Sequence, residues 1–223
     1  MYLLDLKRRT ALASDLTRLV SDISAVCEHL YEEMDESESL WIFAPSEDFS
    51  DEYWPVAMTV ADGIRERSPY TLKNVISRYT DPAATRNFAN THEEILFLVK
   101  DKREYYFDKD PIRIDHAYEG NEWGERAEGQ SAYHDYQVRR YNPGGKDPGN
   151  LWLAEDRTET ADATVDRTES LPRPEAVMRC VRAGSRENET VHVAGFDDSI
   201  VDLIEEEREC RQLSLDEVIE EKR

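Results

Sequence analysis

Little in this sequence ties the chain covalently or anchors it in a membrane. Only three of its 223 residues are cysteines, and Cys27, Cys180 and Cys210 stand far apart with no histidine clusters nearby. That pattern excludes a disulfide framework and a thiolate metal centre and leaves buried thiols as the reading; no metal ligands are assigned. Long apolar runs are missing too. Stretches such as Ile95 to Val99 are far too short to span a bilayer, so no membrane partner is expected. The first residues, MYLLDLKRRT, lack the apolar run of a signal peptide. Basic charge is scarce: 28 Lys and Arg face 49 Asp and Glu, for a net charge of −21. Such self-repulsion is tolerated best where salt screens it, the Debye length falling to about 3 Å at 1 M. The expectation is a salt-adapted, soluble, cytoplasmic protein. The same charge argues against strong non-specific affinity for DNA.

What is present suits a globular α/β protein. Hydrophobic residues make up 39% and aromatics 9% of a chain long enough to bury a proper core. Apolar residues at Leu16, Leu19, Val20, Ile23, Val26, Cys27 and Leu30 follow helical spacing from Ser14 to Met34, with Ser14 or Asp15 as the cap. LWIFA (40–44), TLKNVIS (71–77) and HEEILFLVK (92–100) are strands, and a helix runs from about Pro55 to Arg67. Residues 115–150 lose periodicity but keep Trp123, Tyr133, Tyr136 and Tyr141, as an irregular insertion would. DRTE[TS] then repeats at a ten-residue interval between Asp156 and Ser170, in a polar surface loop. Pro174 to Ala183 is a helix with proline at its start. TVHVAGFDDSIVDLIEEE (190–207) is strand, corner and helix, the helix running from Ser199 to about Cys210, the arrangement in which α/β proteins hold nucleotide-like cofactors. RQLSLD (211–216) closes the set as a strand, and alternating helices and strands make an open sheet.

Four collinear stretches carry a resemblance. They are LWIFAPSEDFSDEYW, RERSPYTLKNVISRY, TRNFANTHEEILFLVKDKREYYFDKDPIR and LPRPEAVMRCVRAGSRENETVHV. Together they resemble the exocyclic-amino DNA methyltransferases of the N-4 cytosine and N-6 adenine class, in the group whose catalytic half precedes its cofactor half. The resemblance implies a Rossmann-like methyltransferase fold, an open three-layer sheet that binds S-adenosylmethionine and flips a base out of the duplex. It divides the chain into a catalytic-half remnant (1–114), a target-recognition-like insertion (115–150) and a cofactor-half remnant (151–223), within one domain overall.

The departures matter as much. The family's catalytic tetrapeptide, Asp/Ser/Asn-Pro-Pro-aromatic, precedes its first helix, and this chain contains no Pro-Pro. The expectation is therefore a sheet lacking the N-terminal catalytic strand, with no catalytic residue retained and apolar edges left to associate. SPY at 68–70 falls in the wrong place to substitute. Against the family's glycine-rich cofactor corner, Gly195 stands at the Phe, while Asp197 and Ser199 replace two glycines. Asp216 is the remaining candidate for the acid that binds the ribose. These four are the vestigial cofactor positions, and no bound cofactor is expected for the isolated chain. Asp197 and Asp198 most simply cap the start of the helix after this corner.

His92 and Glu93 belong to the stretch that frames the target base in the family; a strand-start residue satisfied by backbone is the plainer alternative. Arg86, Lys100, Lys102, Arg103, Arg139, Arg140 and Lys146, interleaved with aromatics, are candidate nucleic-acid contacts. Three functions remain open. One is a DNA-binding or pairing subunit, inactive alone, beside DNA or a partner methyltransferase. Another is an enzyme completed by a separately encoded segment. The last is a non-enzymatic remnant of the fold.

Overall fold

A computed structural model describes residues 1–45, 47–49, 52–81, 88–114, 144–153 and 170–221. Arg86, Arg139, Arg140, most of the expected insertion and nearly all of the DRTE repeat lie outside these residues. The chain opens with strand β1 (Tyr2–Asp5), a short helix α1 (Lys7–Leu12) and the long helix α2 (Leu16–Glu33). Strand β2 (Ser39–Ala44) follows, then a small hairpin β3–β4 (Glu47–Phe49, Glu52–Trp54) and helix α3 (Val56–Arg67). Strands β5 (Thr71–Tyr79) and β6 (His92–Val99) lead to a 3₁₀ turn at Asp110–Ile112. The second half holds β7 (Leu151–Trp152), α4 (Arg173–Gly184), β8 (Thr190–Ala194), α5 (Asp198–Glu205), β9 (Glu209–Gln212) and α6 (Leu215–Glu221).

Among the described residues, seven strands form one sheet in the order β7-β5-β6-β2-β1-β8-β9. β1 runs parallel to β2 on one side and to β8 on the other, and β6 is antiparallel to β2 and β5. The open α/β sheet expected from the sequence is therefore present. Its centre, left without a strand in that reading, is filled by Tyr2–Asp5. This corrects one detail of the expectation and removes its argument for exposed apolar edges. The observed edges are a two-residue β7 and a β9 of sequence ECRQ, short or charged as edge strands need to be.

Side-chain alternation builds two cores from the same strands. Leu4 of β1, Leu40 and Ile42 of β2, and Leu96 and Leu98 of β6 face α2, α3 and α6. Leu3, Trp41, Phe43, Ile95 and Phe97 face α4 and α5. The result is three layers. α2 starts where Asp15 accepts the Thr17 N–H at 2.9 Å, which selects Asp15 over Ser14 as its cap. Cys27 and Cys180 are buried free thiols as expected, and Cys210 is half-buried.

Two C-terminal elements differ from the sequence reading. α5 ends at Glu205, so Cys210 lies in β9 rather than in the helix. The last strand stops at Gln212, and Leu215 and Ile219 turn inward on α6 instead. Spacing of four residues is helical, so both fall on one face.

The fully buried Leu4 supports β1 between its two neighbours. Leu4→Ala is expected to lower unfolding stability by about 2–5 kcal/mol, as leucine truncation in a packed core does. Equilibrium denaturation checks this; a cost under about 1 kcal/mol would show that β1 is not an essential central strand.

Candidate functional site

Adjacent parallel strands β1 and β8 send the chain in opposite directions. β1 leads through α1 and α2, on one face, to β2; β8 leads through α5, on the other face, to β9. This reversal opens a crevice at the carboxyl ends of the two strands, the place where α/β sheets bind ligands. Asp5 ends β1 there, and Gly195 follows β8.

Gly195 is needed for the close approach of these ends. Its φ is +84°, and a Cβ at this position would collide with the carbonyl oxygen of Asp5. Beside them lies a cavity of about 560 Å³, whose wall includes Asp5, Arg8, Arg18 and Gly195. Arg9 and Asp216 close part of that wall by an ion pair with each other.

Behind the crevice, four charged side chains form a buried junction. Arg173 Nη2, at the first turn of α4, lies 2.7 Å from the Asp5 carboxylate and 2.9 Å from that of Glu93. Glu93 also pairs with Arg78 Nε at 2.9 Å, and Arg78 Nη1 donates to the Leu171 carbonyl at 2.6 Å. Asp5 further accepts the Lys7 N–H at 2.8 Å. Burial holds the Asp5 carboxyl above its usual pKa; Arg173 and the Lys7 N–H pull it down, but by less. Desolvation outweighs pairing here. The guanidinium of Arg173 also lies over the Phe43 ring at 5.6 Å, and its Nε has no hydrogen-bond partner among the described residues.

The vestigial cofactor positions do not offer what S-adenosylmethionine needs. Asp197 occupies the start of α5, its carboxylate accepting from Ile200 N at 3.2 Å and from the Ser199 hydroxyl at 2.8 Å. The helix N-terminus is thereby capped by the protein's own acid, which repels a ligand carboxylate. Asp216 lies in the first turn of α6 rather than at a strand end, and Arg9 takes its carboxylate. Gly195 remains, but it packs against Asp5. The residues present do not fit the methionine portion of the cofactor.

Of the target-side candidates, Glu93 reaches the site only through Arg173, and His92 sits at the strand start opposite Tyr79. The proposed nucleic-acid contacts among the described residues do not gather there. Lys100 is at the far end of β6, donating to the Met34 carbonyl at 2.6 Å and lying over the Tyr31 ring. Lys102 and Arg103 occupy the exposed turn beyond it, and Lys146 is an exposed residue whose backbone pairs with Ile114. The sequence reading missed Asp5, Arg8, Arg9 and Arg173. The first had a signal: three apolar residues and an acid, YLLD, is the pattern of a buried parallel strand ending at a site. Arg173 had none, because its partners lie 80 or more positions away.

Removing Arg173 leaves the buried Asp5 carboxylate without its ion-pair partner and Glu93 with Arg78 alone. Arg173→Ala is expected to cost about 3–5 kcal/mol, as broken buried pairs do, and Asp5→Asn markedly less. The sign follows from the raised Asp5 pKa. Its contribution is fully present below the unfolded-state pKa and is lost as pH rises through the folded value. Denaturation curves across the acid range check both points. Asp5→Asn should remove that part of the pH dependence, and a larger loss for Asp5→Asn than for Arg173→Ala would overturn the account.

Comparison with known proteins places this arrangement. A family profile described as DNA methylase matches residues 7–192. No curated protein sequence matches the chain. Among solved structures, M1.HpyAVI in complex with SAM is similar over 100% of this chain and 87% of its own, at 11% identity and a TM-score of 0.50. TTHA0409 from Thermus thermophilus, assigned as a DNA modification methylase, is similar over 99% and 84%, at 14% identity and a TM-score of 0.57. The same protein complexed with S-adenosyl-L-methionine is similar over 99% and 83%, at 13% identity and a TM-score of 0.53. The structural likenesses concern the fold, and the profile covers most of the chain: this protein belongs to the DNA methylase family.

Proposed function

We propose that this chain is a DNA methylase-family protein without methyl-transfer activity of its own, acting as a DNA-binding or pairing subunit. One observation carries the reading. The segment at the end of the central strand, where the family's tetrapeptide belongs, is Asp5-Leu6-Lys7-Arg8. The acid is kept, but rigid prolines give way to Leu6, which is fully buried, and Lys7, which starts a helix. The aromatic that would face a flipped base gives way to Arg8. Asp5 is drawn toward α4, with Arg173 and the Lys7 N–H both engaging its Oδ1. Catalysis by such a site depends on preorganised groups aimed at the reacting atoms, and that aim is absent.

A central strand paired on both sides also weakens the reading in which a separate polypeptide completes the sheet. Arg8 and Arg18, exposed in the crevice wall, and the neighbouring exposed Lys7 supply phosphate contacts for DNA. In a chain of net charge −21, set in a salt-rich cytoplasm, such contact is local rather than long-range.

Two assays on the intact chain test this. Mass spectrometry of DNA incubated with the protein and S-adenosylmethionine should find no N-4 methylcytosine or N-6 methyladenine. Electrophoretic mobility shifts should show DNA binding that weakens when Lys7, Arg8 and Arg18 are changed to alanine, with the salt slope falling by roughly 3. Methylated product from the purified chain would overturn the inactive reading; unchanged binding by the triple variant would overturn the contact surface.

A further inference from the structure

A second cavity, of about 440 Å³, lies on the α4 face of the sheet, away from the crevice. Lys73, Asn74 and Phe97 of its wall come from the ends of β5 and β6 opposite to those that carry Arg78 and Glu93. Its size is that of a small-molecule site. Its walls are aromatic: Trp41, Phe97 and Trp152 are almost fully buried, and Tyr105 and Phe107 border it with more exposed rings. Trp41 and Phe97 stack at 4.1 Å, and Phe107 adds a ring 5.4 Å from Phe97. Both indole N–H groups are satisfied internally, Trp41 by Ser39 Oγ at 2.9 Å and Trp152 by the Gly149 carbonyl at 3.0 Å. The two indoles therefore present no unmet donor to the cavity.

The polar groups are placed by a defect in the sheet. The β5–β6 register shifts between Leu72 and Asn74, so Lys73 is the extra residue of a bulge. Both Lys73 and Asn74 consequently line the same cavity, which regular alternation forbids for neighbours. From the facing loop, Asn150 Nδ2 donates to Asn74 Oδ1 and to the Val75 carbonyl, each at 3.2 Å. That fixes the amide pair and leaves Asn150 Oδ1 as an acceptor and Asn74 Nδ2 as a donor, neither with a partner among the described residues. Lys73 Nζ lies over the Tyr105 ring at 4.6 Å and reaches the Lys102 carbonyl at 3.4 Å, but it pairs with no carboxylate among the described residues. Lys109, by contrast, pairs with Asp147 at 2.6 Å. Among the described residues, the titratable groups lining the cavity are two lysines, one aspartate and Tyr105, a net positive lining on a strongly acidic protein.

We infer that this cavity binds a nucleobase bearing a phosphate, the base stacked against the aromatic wall, its edge on the Asn74–Asn150 amide pair and its phosphate at Lys73. Flat π surface, an adjacent donor and acceptor, and one ammonium without a counter-charge are together what such a ligand requires. The site is independent of the crevice and stands whether or not the chain transfers methyl groups. Its ligand comes either as a free mononucleotide or as a base of a single strand.

Isothermal titration calorimetry on the whole chain separates these. The probes are adenosine and cytidine monophosphates, ribose phosphate, and a short single-stranded oligonucleotide. A mononucleotide is expected to bind saturably and ribose phosphate at least about tenfold more weakly, the margin that stacking on aromatics supports. Lys73→Ala, Asn150→Ala and Phe107→Ala alter accessible side chains, and each should weaken binding several-fold with an unchanged melting temperature. Tighter binding of the oligonucleotide than of the mononucleotide identifies a strand as the source; equal or weaker binding identifies the free nucleotide. Absence of saturable binding by both, ribose phosphate binding as tightly as the mononucleotide, or folded variants that bind like the parent would each overturn the inference.

Discussion

One guanidinium, that of Arg173, holds the carboxyl end of the sheet together. It joins Asp5 at the end of the central strand to Glu93 at the start of β6, and it does so from the first turn of α4. Arg78 extends the junction to β5 and the Leu171 carbonyl. Charges buried this deeply are tolerated only when paired, and pairing them fixes how the helix layer seats on the sheet. Here the same pairing sets the chemistry of the crevice. Arg173 and the Lys7 N–H both engage Asp5 Oδ1, which ties the end of β1 to the first turn of α4.

Gly195 imposes a second constraint at the same spot. Its positive φ and its contact with the Asp5 backbone keep the fold's geometry at the switch point. Around it, Asp197 caps α5 and Arg9 takes Asp216, so groups that a cofactor would engage are satisfied within the chain. Strand, corner and helix survive, and the protein retains its family's scaffold.

Much of the scaffold was legible in the sequence because burial leaves periodic marks. The 16–30 apolar spacing, the LWIFA run and HEEILFLVK each became the element expected, since one face or both must be dry. Four-residue β1 carried too short a pattern to register, although its flanking Leu6 and its acid are what a buried parallel strand needs. Asp216 was misplaced because RQLSLD alternates like a strand for six residues, while the decisive contact, Leu215 and Ile219 on α6, has helical spacing. The site was less legible still. Arg173, Glu93 and Asp5 are brought together by topology across most of the chain, and no local pattern records that. The cavity walled by Trp41, Phe97 and Trp152 was hidden for the same reason, and the bulge at Lys73 has no sequence signature beyond two polar residues in a row.

We propose that the crevice keeps its architecture but does not bind the family's cofactor. Calorimetric titration of S-adenosylmethionine into the purified chain at high salt tests it most directly. The account predicts no saturable heat across the micromolar range; a 1:1 isotherm with micromolar affinity would contradict it.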